Sequence, residues 1–470
     1  MPLNPVSDTF VKALRAALPT KTFRPPEPRY FEEPRGTYKG QAGVILAPST
    51  AQEVATVVQM AGDAKVGVVP YGGGTGLVGG QIMEDGPSPV VISLERMTKI
   101  RSVDPRDGVM IAEAGAILHD VHAAADTRDR LFPLWLASEG SCRIGGNLST
   151  NAGGVNVIRY GNARDLCLGL EAVLPDGQIW HGLKRLRKDN TGYDLRDLLI
   201  GAEGTLGVIT AASLRLFPKP DSTGAALMIV PDPDAALNLL ELAQRRIGGA
   251  ISAFELIHGT GLQFVRETMP QVRQPFAPPP EWSVLIDVGM SGSADPKDSL
   301  TELFAQAAEA GLVSDGLIAQ SEAQRQEFWH VREVIPSANK AIGALASNDI
   351  SVPVGAVPSF IRRGAEELSR FGDIRINSFG HLGDGNLHYN LFPARGRNKA
   401  DYGALGKELK DVVQGLVMEF GGSFSAEHGI GRLNVATLER YGDPVKLSAM
   451  RAIKMALDPL GIMNPGVILR

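Results

Sequence analysis

The sequence predicts an α+β protein of more than one domain, and three observations carry that reading. At 470 residues the chain is longer than a single hydrophobic core ordinarily grows. Residues 1–217 hold many short apolar runs separated by glycine-rich loops, whereas 218–425 alternate strand-like runs with long amphipathic helical patterns. Between them lies Pro218-Lys-Pro-Asp, and two prolines in three residues continue neither strand nor helix. The expected division is 1–217, 218–425 and a C-terminal segment, 426–470.

Residues 1–40 are rich in proline and charge, with a short helix expected at 9–17. A strand at 43–47 precedes Thr50-Ala-Gln-Glu53, the pattern of a capping box; Val54, Val57, Val58 and Ala61 form the apolar face of the helix it opens. A buried strand at 66–70 runs into a glycine run, and further strands are expected at 89–94, 109–113, 171–174, 208–212 and 213–217. Beyond the boundary, strands are expected at 225–230, 283–288, 350–354, 375–379 and 387–392, with helices at 232–247, 296–310, 359–371 and 402–420. The stretch 321–342 reads as one long helix that Pro336 kinks or ends. A last helix at 445–457 leads into a turn-rich tail around Asn464-Pro-Gly466. No repeat of solenoid length is present.

Composition excludes several classes. A net charge of −5 without a Lys/Arg run leaves no footprint for nucleic acid. No apolar run is long enough for a membrane span. Cys142 and Cys167 are the only cysteines, too few for a disulfide framework or a thiolate metal site. Met1-Pro-Leu-Asn-Pro has neither the basic flank nor the apolar core of a signal peptide, so the expected location is cytoplasmic.

The chemistry concentrates in His381-Leu-Gly-Asp-Gly-Asn-Leu-His388 and in Glu427-His428-Gly429. Two imidazoles and a carboxylate make a ligand set for zinc or a similar divalent ion with positions left open for water or substrate. A further histidine beside the carboxylate is a candidate proton acceptor at neutral pH. The plainer alternative is a pair of strand histidines and a capping glutamate. Asp384 is a weaker ligand candidate, because Gly-Asp-Gly-Asn is a turn sequence.

Three glycine loops lie upstream. The first, Tyr71, Gly72, Gly73, Gly74, Thr75, Gly76, Leu77, Val78, Gly79 and Gly80, has bare backbone that phosphate oxygens can approach. It lacks the Lys-Ser/Thr of a Walker loop. It contains GxGxxG at 74–79, but no clean helix follows, which disfavours a nicotinamide Rossmann domain. The second runs through Gly145, Gly146, Asn147, Ser149, Asn151, Gly153 and Gly154, and its amides and hydroxyls suit a heteroatom-rich ring or a pyrophosphate. The third, with Glu203, Gly204, Gly207 and Ile209, enters a strand. Three such loops suggest one large ligand wrapped by several segments.

In order along the chain, PYGGGTGLVGG, GGNLSTNAGG, GAEGTLGVIT, FGHLGDGNLH, AEHGIG and the terminal NPG resemble the FAD-linked D-2-hydroxyacid dehydrogenases, within the flavoproteins of the vanillyl-alcohol oxidase type fold. That family includes D-lactate dehydrogenase, D-2-hydroxyglutarate dehydrogenase and the glycolate oxidase flavin subunit. The resemblance covers nearly the whole chain. It implies a two-subdomain FAD-binding domain, an α+β substrate-binding cap and a C-terminal helical return to the flavin. It further implies that residues 72–76 and 79 hold the FAD pyrophosphate, and that 145–154 with 203–209 line the flavin and adenosine. Some members of the larger fold attach flavin through histidine; neither of the first two loops contains one, so the expectation is non-covalent FAD.

By the same resemblance His381, His388 and Glu427 are metal ligands, with zinc the expected ion, and His428 is the base. Trp329-His-Val-Arg332-Glu333 matches a family helix, making Arg332 the partner of the substrate carboxylate, a role that suits a planar guanidinium. Asn464 matches a tail that folds back on the flavin; otherwise it is a simple C-terminal turn. Relatives acting on D-2-hydroxyglutarate tend to carry Ser/Thr four residues and Lys fifteen residues after that arginine, where this chain has Pro336 and Ser347. A buried second carboxylate without a cation is costly, so the sequence favours D-lactate or another monocarboxylic 2-hydroxy acid. D-2-hydroxyglutarate, an O2-using oxidase of the same fold, and a non-catalytic flavin-binding scaffold are the alternatives. The expected electron acceptor is a quinone, a cytochrome or an electron-transfer flavoprotein, and a homodimer is the expected assembly.

Overall fold

The computed structural model describes residues 2–36 and 38–470. They form two compact units. The first comprises the chain up to Gly153, then Asn162–Lys219 and His428–Arg470; the second comprises Gly154–Gly161 and Pro220–Glu427.

The first unit holds a small sheet and a larger one. The small sheet has the order Phe23–Arg24, Val44–Leu46, Val90–Ser93, Val68–Tyr71, and its last three strands are parallel. The helix Ala51–Ala64 connects two of them and buries Val54, Val57, Val58 and Ala61, the predicted face. Thr50 caps it through the Glu53 N–H, but the Glu53 carboxylate accepts from the Ser49 N–H instead of closing the box on Thr50. The larger sheet is antiparallel, in the order Ile100–Asp104, Val109–Glu113, Val208–Arg215, Cys167–Val173, Ile179–Gly182. The two strands expected at 208–217 are therefore one, paired on both edges along Val208–Arg215. Its two outer strands were invisible as patterns because Ile100–Asp104 and Ile179–Gly182 lack an apolar run.

The tail threads back into this unit. Val68 donates to the Ile462 carbonyl and accepts from the Asn464 N–H, so the tail extends the small sheet as a bridge. Lys454 adds bonds to the carbonyls of Thr205 and Met463.

The second unit is built on one antiparallel sheet of seven strands: Asp315–Ile318, Ser222–Val230, Trp282–Met290, Ile251–His258, Ile374–His381, Asn386–Pro393, Asp349–Ser351. Alternation along the strands feeds two cores. Ala226, Met228 and Val230 face one with Val284 and Ile286, under the helices Pro233–Arg246, Pro296–Glu309, Val357–Ser369 and Leu405–Glu419. Ala225 and Leu227 face the other with Leu285, under Gly259–Thr268, Glu322–Glu333 and Ile335–Ile342. A sheet covered on both faces explains why Trp282–Met290 is buried at every position.

Three expectations change here. The long helix at 321–342 is two, Glu322–Glu333 and Ile335–Ile342, divided at Val334 because Pro336 has no N–H to continue the first and suits the opening turn of the second. The strand Ile251–His258 went unread, although it lies at the middle of the sheet. Segment 154–161 clusters with the second unit: Arg159 donates to the carbonyls of Ala250 and Gly289 and to the Ser252 hydroxyl. Among the described residues no helix is long and apolar enough to cross a membrane.

Candidate functional site

In the second unit, sheet register assembles a cluster of titratable side chains. His381 ends its strand directly opposite Glu255, and His388 lies opposite Asp349 on the next strand pair. The turn joining the two histidine strands holds Asp384, whose carboxylate accepts from the Asn386 N–H, and Gly385, at φ +82 with the Val352 carbonyl where a side chain would be. Only glycine fits that corner. Asp384 therefore closes the turn; burial pushes its carboxyl up to about 6.

Ligand atoms of His381, His388 and Glu427 lie within 4.8 Å of one another. His381 Nε2 is 3.7 Å from Glu427 Oε1, and the same oxygen accepts from the Gly154 N–H at 2.8 Å. The Glu427 N–H donates to Asp349 at 2.9 Å, and Asp349 Oδ1 is 3.7 Å from His388 Nδ1. His381 Nδ1 is 2.6 Å from Glu255 Oε1. Each imidazole thus has a carboxylate at Nδ1, the arrangement that orients histidines toward a metal.

The electrostatics separate the two histidines. Burial opposes charge on His381, yet the Glu255 carboxylate overrides it and raises the imidazole to about 9. Burial holds His388 down at about 4 against the pull of Asp349 and Glu427. Burial would push Glu255 up, but His381 and Arg332 outweigh it and hold the carboxyl at about 2. A divalent ion taking a His381 nitrogen would therefore displace a proton.

Arg332 is not an unengaged fork. Its Nε donates to Glu255 Oε2 at 2.8 Å, its Nη2 lies 2.7 Å from the same oxygen in an ion pair, and its guanidinium lies 4.8 Å from the Phe379 ring centroid. One of its five N–H donors is hydrogen-bonded and the Nη2 side is held in the ion pair, leaving the Nη1 end for another anion. Sequence reasoning missed Glu255. The one signal it gave is its place within the apolar run Ile-Ser-Ala-Phe-Glu-Leu-Ile, where the structure buries it fully.

The glycine loops converge in the first unit. A side chain at Gly72 would come within 3.4 Å of Gly146, so the first and second loops touch through bare backbone. The second and third are joined by Gly201 N–H to Leu148 and Glu203 N–H to Ser149. The second is not all loop: Gly145, Gly146, Asn147 and Ser149 lie in a short helix, Ile144–Ser149. Gly145 packs under it against Ala114, and Asn147 donates to the Cys142 sulfur. Asn151, at φ +50, accepts from the Arg164 N–H. Gly204 and Gly207 have positive φ against Pro70 and Val173, and Ile209 is buried in a paired strand.

Glu203 is committed to the protein. Its two oxygens accept from the N–H groups of Ile430 and Gly431 at 2.7 and 2.8 Å, and burial pushes its carboxyl up to about 7. Asn464, at φ +41 and almost fully buried, donates to the carbonyls of Gly80 and Glu203 at 2.8 and 2.7 Å. The tail, the first loop and the third loop thus meet at one side chain. Arg432 was also missed: its Nε donates to the Ile82 carbonyl at 2.6 Å, its N–H donates to Val78, and its Nη2 is buried without a partner.

Residues 42–182 match the FAD binding domain family, and residues 219–468 match the C-terminal domain of FAD linked oxidases. A mitochondrial D-2-hydroxyglutarate dehydrogenase of Arabidopsis thaliana is 38% identical over 437 residues, covering 92% of this chain and 76% of that protein. The chain belongs to the FAD-linked D-2-hydroxyacid dehydrogenase family. Two other members are similar along most of their length. A D-2-hydroxyglutarate dehydrogenase of Xanthomonas citri pv. viticola is 36% identical over 90% of this chain and 88% of its own. A D-2-hydroxyglutarate–pyruvate transhydrogenase of Saccharomyces cerevisiae is 33% identical over 91% and 86%. Among solved structures, p-cresol methylhydroxylase matches with a TM-score of 0.75 at 15% identity, covering 99% of this chain and 98% of its own. Alkyldihydroxyacetonephosphate synthase matches at 0.73 and 18%, covering 99% and 86%. These likenesses identify the vanillyl-alcohol oxidase type fold.

FAD is the cofactor of the family, and the first unit fits such a group. Gly146 has open space where a Cβ would be, so the backbone is approachable there. Asn464 Oδ1 and Arg432 Nη2 are an acceptor and a donor buried without protein partners.

Proposed function

We propose that the chain is an FAD-dependent dehydrogenase oxidising a D-2-hydroxy acid to the 2-oxo acid with the help of a divalent metal, and that D-2-hydroxyglutarate is its leading substrate. The convergence of His381, His388 and Glu427 within 4.8 Å carries the metal reading. In this reading Gly72–Gly76, Gly79 and Gly80, with the loops at 145–154 and 203–209 and with Asn464, hold non-covalent FAD in the first unit, and the second unit holds the acid. When bound, FAD supplies the hydride acceptor for Cα and the metal lowers the pKa of the substrate hydroxyl. Arg332 meets the substrate carboxylate through its Nη1 end, and His428, next in the chain to Glu427, takes the hydroxyl proton.

The choice of acid moves away from D-lactate. Relatives named for D-2-hydroxyglutarate favour the dicarboxylate. Pro336 and Ser347 are both exposed, which weakens the argument that a carboxylate beside them is buried unpaired. D-Lactate stays as the second reading because neither position supplies a cation. The yeast relative's name adds a 2-oxo acid to the candidate electron acceptors beside a quinone, a cytochrome and an electron-transfer flavoprotein. Cys142 and Cys167 are free and buried, which supports a cytoplasmic location, although plant and animal relatives are named mitochondrial.

Turnover of D-2-hydroxyglutarate and D-lactate with a dye acceptor, with and without chelator, tests the reading. A kcat/KM at least about tenfold higher for the dicarboxylate, abolished by chelator, is the expected result. Metal-independent turnover removes the metal, and a preference for D-lactate restores the second reading. Release of the flavin into solution by acid precipitation checks that it is not covalently attached.

A further inference from the structure

Glu255 is fully buried, and its two oxygens face two different functional groups. Oε1 is 2.6 Å from His381 Nδ1, while Oε2 accepts from Nε of Arg332 at 2.8 Å and lies 2.7 Å from its Nη2 in an ion pair. We propose that Glu255 is a positioning residue that locks the metal-facing tautomer of His381 and the orientation of Arg332 together, so that metal binding and recognition of the substrate carboxylate depend on one carboxylate. This rests on the metal reading above and adds the residue that joins its parts.

The argument is one of donors and acceptors. A carboxylate only accepts, so His381 must present Nδ1–H to Glu255. Nε2, 3.7 Å from Glu427, is then the nitrogen whose lone pair a divalent ion takes. On the other side Arg332 only donates, so its Nε–Nη2 edge is fixed on Oε2 and the Nη1 end is aimed by default. Position 255 is set by register: Glu255 pairs with His381 across neighbouring strands, and the helix Glu322–Glu333 brings Arg332 over Phe379.

Glutamine at 255 has the same shape but one donor and one acceptor. Arg332 claims the carbonyl, which turns the amide NH2 toward His381 Nδ1. That nitrogen must then accept, and the ring proton moves to Nε2, where a metal would bind. Glu255→Gln should therefore weaken metal affinity by about 10- to 100-fold, the usual range for losing a partner behind a metal-binding histidine. KM for the 2-hydroxy acid should rise as well, while FAD content and circular dichroism stay at wild-type values. Glu255→Asp keeps the buried charge but is one methylene too short to span both partners. It should lose at least about tenfold in metal affinity or in KM, and it decides the matter if the glutamine variant does not fold.

The measurement is competition for Zn2+ between the FAD-loaded protein and a chromophoric chelator, alongside steady-state kinetics. Metal affinity and KM both within about twofold of wild type in either folded variant overturn the proposal while leaving the metal reading intact. A wild-type protein that holds no stoichiometric metal overturns that reading and the proposal with it.

Discussion

Asn464→Ala tests whether the C-terminal tail completes the FAD cradle. The amide nitrogen of Asn464 donates to the carbonyls of Gly80 and Glu203, so truncation removes two buried hydrogen bonds, together about 2 kcal/mol net. Asn464 sits at φ +41, a left-handed conformation that asparagine tolerates and that costs alanine roughly 1 kcal/mol more. Against this, Asn464 Oδ1 is a buried acceptor with no protein partner, and deleting it returns about 1 kcal/mol in the FAD-free protein. The expected loss is therefore about 2 kcal/mol without FAD. It is about 3 kcal/mol with FAD, where in the proposed reading the flavin satisfies this acceptor and its deletion no longer returns that roughly 1 kcal/mol. The difference corresponds to a roughly fivefold weaker FAD Kd. At roughly 2–4 °C per kcal/mol for a unit of this size, Tm falls by about 4–8 °C without FAD and about 6–12 °C with it. Thermal unfolding of both forms and a flavin-fluorescence titration read these quantities. Asn464→Asp, which turns an acceptor toward two carbonyl oxygens, should be worse than alanine. Equal Tm losses with and without FAD and an unchanged Kd refute the role given to Oδ1. A Tm change under about 1 °C refutes the whole account.

Three other perturbations have signs fixed by the structure. The folded chain keeps the Glu203 proton up to about pH 7, while an unfolded glutamate releases it near 4.5, so this group's contribution is complete below 4.5 and fades as pH rises toward 7. The wild-type stability advantage over Glu203→Gln should thus shrink by roughly 3 kcal/mol between about pH 4.5 and 7.5 in urea unfolding; a flat difference contradicts the assignment. Glu427→Gln removes a ligand and should drop bound metal from about one per chain to below about 0.1, with turnover falling at least ~100-fold and FAD content unchanged, as read by elemental analysis and flavin absorbance. Gly385→Ala places a Cβ on the Val352 carbonyl at φ +82, so it should cost roughly 3 kcal/mol or more and lower metal content in whatever protein folds.

The side chains that the structure clusters at 381, 388 and 427 were readable in the sequence, and the acids that pair with them were not. His381, His388 and Glu427 announced themselves because imidazole and carboxylate next to glycine have few structural uses. The glycine loops did so because bare backbone is wasteful unless something approaches it. Glu255 and Asp349 gave no comparable signal. A lone acid in a strand looks like a surface residue until the register places it opposite a histidine from a later strand. The division of the long helix at Val334 was half-readable, since proline marked the place but left a kink and a break both open.

The D-lactate expectation shows the converse limit. Residue identities at 336 and 347 were read correctly, and the physics of an unpaired buried carboxylate is sound. The weak step is the premise of burial, since both positions are exposed. Substrate choice in such a site depends on which side chains surround the distal end of the acid, and that is a property of the sheet and its covering helices. Arg332 makes the point from within the site. Its identity suggested a fork open to substrate, yet its Nε donates to Glu255, so its orientation is set jointly by a helix residue and a strand residue 77 positions apart. A motif names the groups that react; the pairing of strands decides how many of their hydrogen bonds remain for the substrate.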